Sequence, residues 1–156
     1  MLCSNCGALI IEAAVNCPLC RAKIEGQKRH PALEILLVED DEEIQLLLLR
    51  WLEMANLKVT GVSNGIDALE EFKNKRFDLA LIDIDIPFIS GIEVSRTIKN
   101  SDPHLPVLLC TAYVKSIPQT VVESSNADGL ITKPIDLDQL LITIQRLTFG
   151  GVEAVE

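Results

Sequence analysis

From Leu33 to Leu147 the chain alternates short apolar runs with longer segments whose apolar residues recur every three or four positions, and no other feature restricts the fold as much. The strand candidates are Glu34 to Val38, Lys58 to Val62, Asp78 to Ile82, Pro106 to Cys110 and Gly129 to Thr132, all short and several β-branched. Between them Ile44, Leu47, Leu48, Trp51, Leu52 and Ala55 form one helical stripe, and Leu137, Leu140, Leu141, Ile144 and Leu147 another. Leu46 and Leu49 fall off the first stripe and read as sheet contacts or as an apolar patch. Shorter helices fit 65–74, 91–99 and 116–124. Five such units predict an α/β fold: a doubly wound, five-stranded parallel sheet covered by helices on both faces. Strands buried on both faces account for an apolar content of 48%. The longest apolar runs fall far short of the roughly 18 residues a membrane span needs, so no membrane association is expected.

The first 25 residues are different. Cys3-Ser-Asn-Cys6-Gly and Cys17-Pro-Leu-Cys20 are two C-x2-C knuckles ten residues apart. That gap lets both thiolates of a knuckle reach one tetrahedral ion at about 2.3 Å, and two knuckles complete the four-ligand shell of structural Zn²⁺. So short a segment buries too little apolar surface to fold alone, and metal binding would supply the folding energy. Paired disulfides and unbound thiols are the minor alternatives. Glu12 interrupts the only apolar stretch near the start, no secretory signal is visible, and a reducing cytoplasm is the expected compartment. Residues 26–32 read as a linker and 149–156 as a tail, which leaves 1–25 as a zinc ribbon and 33–148 as the main domain.

Charge limits the partners. The chain carries 14 basic against 23 acidic side chains, a net charge of −9, and so argues against nucleic-acid binding through bulk charge. Protein contacts are the expectation, with the oligomeric state open and a homodimer among the outcomes.

In a parallel sheet of this kind ligands bind outside the carboxyl ends of the strands. Glu39, Asp40 and Asp41 follow the first strand candidate, Asp83 the third, Thr111 the fourth and Lys133 the fifth. Several carboxylates held together repel one another, and a hard divalent cation, Mg²⁺ above all, relieves the repulsion. A metal beside Lys133 and a Thr hydroxyl would make an anion clamp suited to a phosphoryl group on a carboxylate.

The segments Ile35-Leu-Leu-Val-Glu-Asp-Asp-Glu-Glu-Ile44, Asp78-Leu-Ala-Leu-Ile-Asp-Ile-Asp-Ile-Pro87 with Gly91, Pro106-Val-Leu-Leu-Cys-Thr-Ala112 and Leu130-Ile-Thr-Lys-Pro134 resemble response-regulator receiver domains over 33 to about 148. Residues 3–20 similarly resemble short zinc ribbons, except that Arg21 stands where those have Gly. The receiver resemblance implies a flavodoxin-like fold and Asp83 as phosphoacceptor, attacking the phosphohistidine of a sensor histidine kinase or a histidine phosphotransfer protein. It implies that Asp40 and Asp83 ligate Mg²⁺, with Glu39 through water and the Asp85 backbone carbonyl completing the set, while Asp41 stays outside. It also implies that Lys133, the Thr111 hydroxyl and the Ala112 amide hold the phosphoryl oxygens, and that the Lys133–Pro134 bond is cis.

Two positions depart from the family pattern: Leu130, where Tyr or Phe is usual, and Ser90, where Asp is common. The expected role is therefore a phospho-accepting signalling protein without a DNA-binding output domain, acting on a downstream protein and not an enzyme beyond its own acyl-phosphate chemistry. The competing reading is a constitutive scaffold of zinc ribbon and pseudo-receiver, in which Leu130 marks a lost switch. Asp83 and Asp85 also form the D-x-D of haloacid-dehalogenase phosphatases, but that motif belongs on a first strand and here lies on the third.

Overall fold

The computed structural model describes residues 3, 5, 6, 10, 16, 17, 19–24 and 32–149. The expected linker therefore lies outside the described residues but for Ala32, and the expected tail but for Phe149. Five parallel strands, β1 (Glu34–Val38), β2 (Lys58–Val62), β3 (Leu79–Asp83), β4 (Val107–Thr111) and β5 (Gly129–Thr132), form one sheet in the order β2-β1-β3-β4-β5. The helices are α1 (Glu42–Met54), α2 (Gly65–Asn74), α3 (Gly91–Ser101), α4 (Gln119–Ser124) and α5 (Leu137–Phe149).

Successive strand residues face opposite sides, so β1, β3 and β4 each feed two cores. Ile35, Leu37, Leu79, Leu81 and Leu108 pack with Leu48 and Leu52 of α1 and Leu140, Leu141 and Ile144 of α5. Leu36, Val38, Ala80, Ile82, Val107 and Leu109 pack with Ala68 of α2 and Ile92, Val94 and Ile98 of α3. β3 and β4 are buried along their whole length, as two-sided burial requires. No helix among the described residues is long and apolar enough to cross a membrane.

Helix starts are set by side chains that accept free first-turn N–H groups. Asp41 caps α1 through Glu43 N and Ile44 N, Asn64 caps α2 through Asp67 N, and Ser90 caps α3 through Glu93 N. Asn56, just past α1, has φ 65°, a left-handed conformation that Asn tolerates at helix ends.

The structure corrects several boundaries. β3 and β4 run one residue further than expected and so contain Asp83 and Thr111. The stretch 116–124 holds only a short α4 with no buried side chain, preceded by a single 3₁₀ turn at Val114–Ser116. On α1, Leu47 is 59% exposed while Leu49 packs on the core, so the buried stripe is centred on Leu48 and Leu52. Near the start of the chain, Cys3, Ile10 and Cys17 are buried in the same apolar cluster as the α1/α5 side of the sheet.

Candidate functional site

The sheet order reverses direction between β1 and β3, and there the loops after the two strands diverge and leave a cleft. β1 ends at Val38, so Glu39 and Asp40 stand on the lip of this cleft; β3 ends in Asp83 itself. One carboxylate oxygen from each of Glu39, Asp40 and Asp83 lies within 4.8 Å of the others. Glu39 is 2% exposed and Asp83 5%.

The fifth strand brings in the balancing cation. Lys133 follows β5, and its Nζ lies 2.7 Å from both Glu39 Oε2 and Asp83 Oδ2. The remaining oxygens are held by backbone: Asp41 N–H donates to Glu39 Oε1 at 3.1 Å, and Asp85 N–H to Asp83 Oδ1 at 3.1 Å. Burial raises the Glu39 pKa above the ordinary value, against the pull of Lys133 and the Asp41 amide. For Lys133 burial acts the other way, but the bonds to Asp83 and Glu39 outweigh it and its pKa rises. Three carboxylates face one ammonium, and this surplus of hard oxygen donors fits a divalent cation such as Mg²⁺.

Thr111 is fully buried at the end of β4, its Oγ1 accepting from Tyr113 N–H at 3.0 Å. Its carbonyl accepts from Lys133 N–H at 2.8 Å, which ties the end of β4 to the loop that carries the lysine. Ala112 is the exposed residue that follows. The Lys133–Pro134 bond is cis. Asp41 lies outside the carboxylate cluster and serves as the α1 cap. Cys110, paired in register with Asp83, is buried, and burial pushes its thiol up to about 12; it is an inert filler. Leu130 is 37% exposed and lines a groove of about 510 Å³ with Thr111, Ile117 and Val122.

Gln45 lies off the strand ends at which the sequence pattern places the site. Its Nε2 bonds the carbonyls of Glu39 and Val62, and the available signal was one amide side chain inside the otherwise apolar run 44–49.

Residues 35–145 match the model of the response regulator receiver domain. The chain belongs to the response-regulator receiver family. The polar-differentiation response regulator DivK of Brucella anthropi is 30% identical over 113 residues, covering 71% of this chain and 92% of DivK. The transcriptional regulatory protein ZraR of Klebsiella oxytoca is 38% identical over 118 residues, 72% of this chain. The chain spans only 25% of ZraR and 49% of YkoG, a Bacillus subtilis relative. Among solved structures, TrrA of Thermotoga maritima in complex with Mg²⁺-BeF superposes with a TM-score of 0.68 at 30% identity, covering 74% of this chain and 98% of TrrA. The receiver fold is thus the flavodoxin-like one expected, and the acidic cluster lies at its switch point.

A second cluster, of four cysteines that could hold a metal ion, lies near the start of the chain. Cys3, Cys6, Cys17 and Cys20 place their sulfurs within 4.8 Å of one another, and none forms a disulfide. The Cys3–Cys20 and Cys6–Cys17 sulfur separations are 3.6 and 3.5 Å, close to the edge of about 3.8 Å of a tetrahedron with 2.3 Å bonds and far from a disulfide length of about 2.05 Å. Asn5 N–H donates to Cys3 Sγ at 3.4 Å. Bonds from the Asn5 side chain and the Ala22 backbone pull the Cys20 thiol down to about 6. Arg21, which follows the last of the four cysteines, has φ 59°, the region glycine enters without steric cost.

Proposed function

We propose that the receiver accepts a phosphoryl group on Asp83 from the phosphohistidine of a histidine kinase or a histidine phosphotransfer protein, and signals through protein contacts. The observation that carries this reading is the buried Asp83 carboxylate, aligned by the Asp85 amide and held 2.7 Å from Lys133 beside Glu39 and Asp40. An Asp83 oxygen attacks phosphorus, the P–N bond breaks with its electron pair going to the imidazole, and an acyl phosphate forms. Lys133 then exchanges part of its contact with Asp83 for a phosphoryl oxygen. The buried Thr111 hydroxyl and the Ala112 amide stand at the end of the adjacent strand to take another.

Glu39, Asp40, Asp83 and the Asp85 carbonyl are the residues that would hold Mg²⁺, which when bound supplies charge neutralisation for the phosphoryl oxygens. The Mg²⁺-BeF complex of TrrA supports this choice of ion. The four cysteine sulfurs would hold a structural Zn²⁺, closed to chemistry because every position is filled by protein. Five cysteines outside any disulfide suit a reducing, cytoplasmic compartment. Turnover is confined to loss of the domain's own acyl phosphate, so the protein is not an enzyme toward other substrates. DNA binding is no part of this reading.

The test is intact-mass spectrometry of the zinc-loaded protein and its Asp83→Asn variant after incubation with Mg²⁺ and acetyl phosphate or phosphoramidate. One added phosphoryl group, absent from the variant, is the expected result. No addition in donor excess would reject the phosphoacceptor reading in favour of a constitutive scaffold.

A further inference from the structure

The loop between β1 and α1 carries two of the three clustered carboxylates, yet at Glu39 it has already left the sheet, since the last β1–β2 partners are Val38 and Val62. The Glu39 N–H keeps a bond to the Val62 carbonyl at 3.0 Å. The Glu39 carbonyl lies beyond that ladder and takes a side-chain partner instead. Gln45 Nε2, one turn into α1, donates to the Glu39 carbonyl at 2.9 Å and to the Val62 carbonyl at 2.8 Å, which uses both amide protons. Gly61 of β2 sits beneath this amide: a Cβ there would stand 3.3 Å from Gln45 Cδ and 3.5 Å from Leu49 Cδ1.

We infer that Gln45 is a positioning residue for the acidic cluster. It clamps the Glu39–Asp40 peptide to the end of β2, and through that peptide it sets where the two carboxylates stand relative to Asp83 on β3. Without the clamp the Glu39 carbonyl has no strand partner, and the peptide is free to turn toward water and carry Asp40 with it. The consequence for metal rests on the Mg²⁺ reading above. Outer-shell partners that orient metal ligands typically govern affinity by about ten- to a hundredfold, and Gln45 stands in that relation to Glu39 and Asp40.

The experiment uses the zinc-loaded full chain in three forms: wild type, Gln45→Met, which keeps length and neutrality without donors, and Gln45→Glu, which keeps shape but adds a negative charge. Mg²⁺ affinity is measured by calorimetric titration, and amide exchange at Asp41, whose N–H bonds Glu39 Oε1, is measured by NMR in metal-free protein. The clamp predicts Mg²⁺ binding weakened about tenfold in both variants and faster exchange at Asp41. Tighter binding by Gln45→Glu, as added charge alone would produce, would overturn it. So would a lowered melting temperature in both variants with wild-type Mg²⁺ affinity and wild-type exchange at Asp41. Wild-type protein that takes up no Mg²⁺ would defeat the metal reading instead, and exchange at Asp41 would still decide the clamp.

Discussion

Lys133 and Asp83, fifty residues apart in sequence, form an ion pair of 2.7 Å across the carboxyl ends of β5 and β3, and the same ammonium bonds Glu39 at 2.7 Å. β4 lies between those two strands, so the lysine must reach over Thr111 to bridge them. One cation is thereby shared by two buried carboxylates, a balance that any third charge at the site must disturb.

Removing that cation should show how strained the balance is. Lys133→Met leaves Glu39 and Asp83 buried without a counter-charge, and we expect metal-free protein to lose roughly 2 kcal/mol, less than a fully buried pair because Lys133 is partly solvated. Mg²⁺ should then raise the melting temperature of the variant more than that of wild type. Equal increments in thermal melts with and without Mg²⁺ would count against the shared-charge account.

The raised pKa of Glu39 has a definite sign in pH-dependent stability. The folded state binds this proton more tightly than the unfolded chain does, so the contribution is most favourable below the ordinary glutamate value of 4.5 and is lost as pH rises through the raised value. Glu39→Gln mimics the protonated form. In metal-free protein it should be more stable than wild type at pH 7, with the difference vanishing in acid. Urea melts at several pH values test this, and an advantage that grew as pH fell would contradict it.

Gly91 opens α3 directly against the end of β3. A Cβ there would stand 2.2 Å from the Asp83 carbonyl oxygen and 2.8 Å from Ile84 Cα, both backbone atoms that cannot rotate aside. Gly91→Ala should cost about 3 kcal/mol by chemical denaturation. A change near zero would mean that the β3–α3 loop yields freely and that this close approach does not fix the backbone at Asp83.

The cysteine cluster and the acidic cluster should respond separately to mutation. Cys17→Ser with Cys20→Ser removes two of four sulfurs, and bound zinc, measured by mass spectrometry under native conditions, should disappear. The melting temperature should fall, because Cys3, Ile10 and Cys17 share the apolar cluster on the α1/α5 side. Mg²⁺ affinity should stay within about twofold of wild type, since the carboxylates stand at the strand ends with no ligand in common. Loss of both metals together would refute the separation.

Much of this was legible in the chain. β1, β2 and β5 have the limits their short runs imply: β1 is buried from Ile35 on and announces itself by composition, while β2 and β5, partly exposed at the sheet edges, are marked by their β-branched residues. The limits of β3 and β4 were misplaced by one residue. Asp83 and Thr111 extend those strands only because they pair with Cys110 and Thr132, partners a linear sequence does not name. Leu47 was misplaced for a related reason: it fits the helical stripe and Leu49 does not, yet Leu49 packs on the core and Leu47 faces out, because the way α1 lies on the sheet decides which face is covered.

The residue types at the strand ends, and therefore the chemistry available to the cleft, are written in the order of the sequence, because each βα unit delivers its last residues to the same edge of a parallel sheet. Tertiary structure alone decided that Lys133 is shared between Glu39 and Asp83, and that Gln45 reaches across to the Val62 carbonyl of β2. Those are distances between atoms from different units, set by strand order and helix packing, and local periodicity carries no information about either.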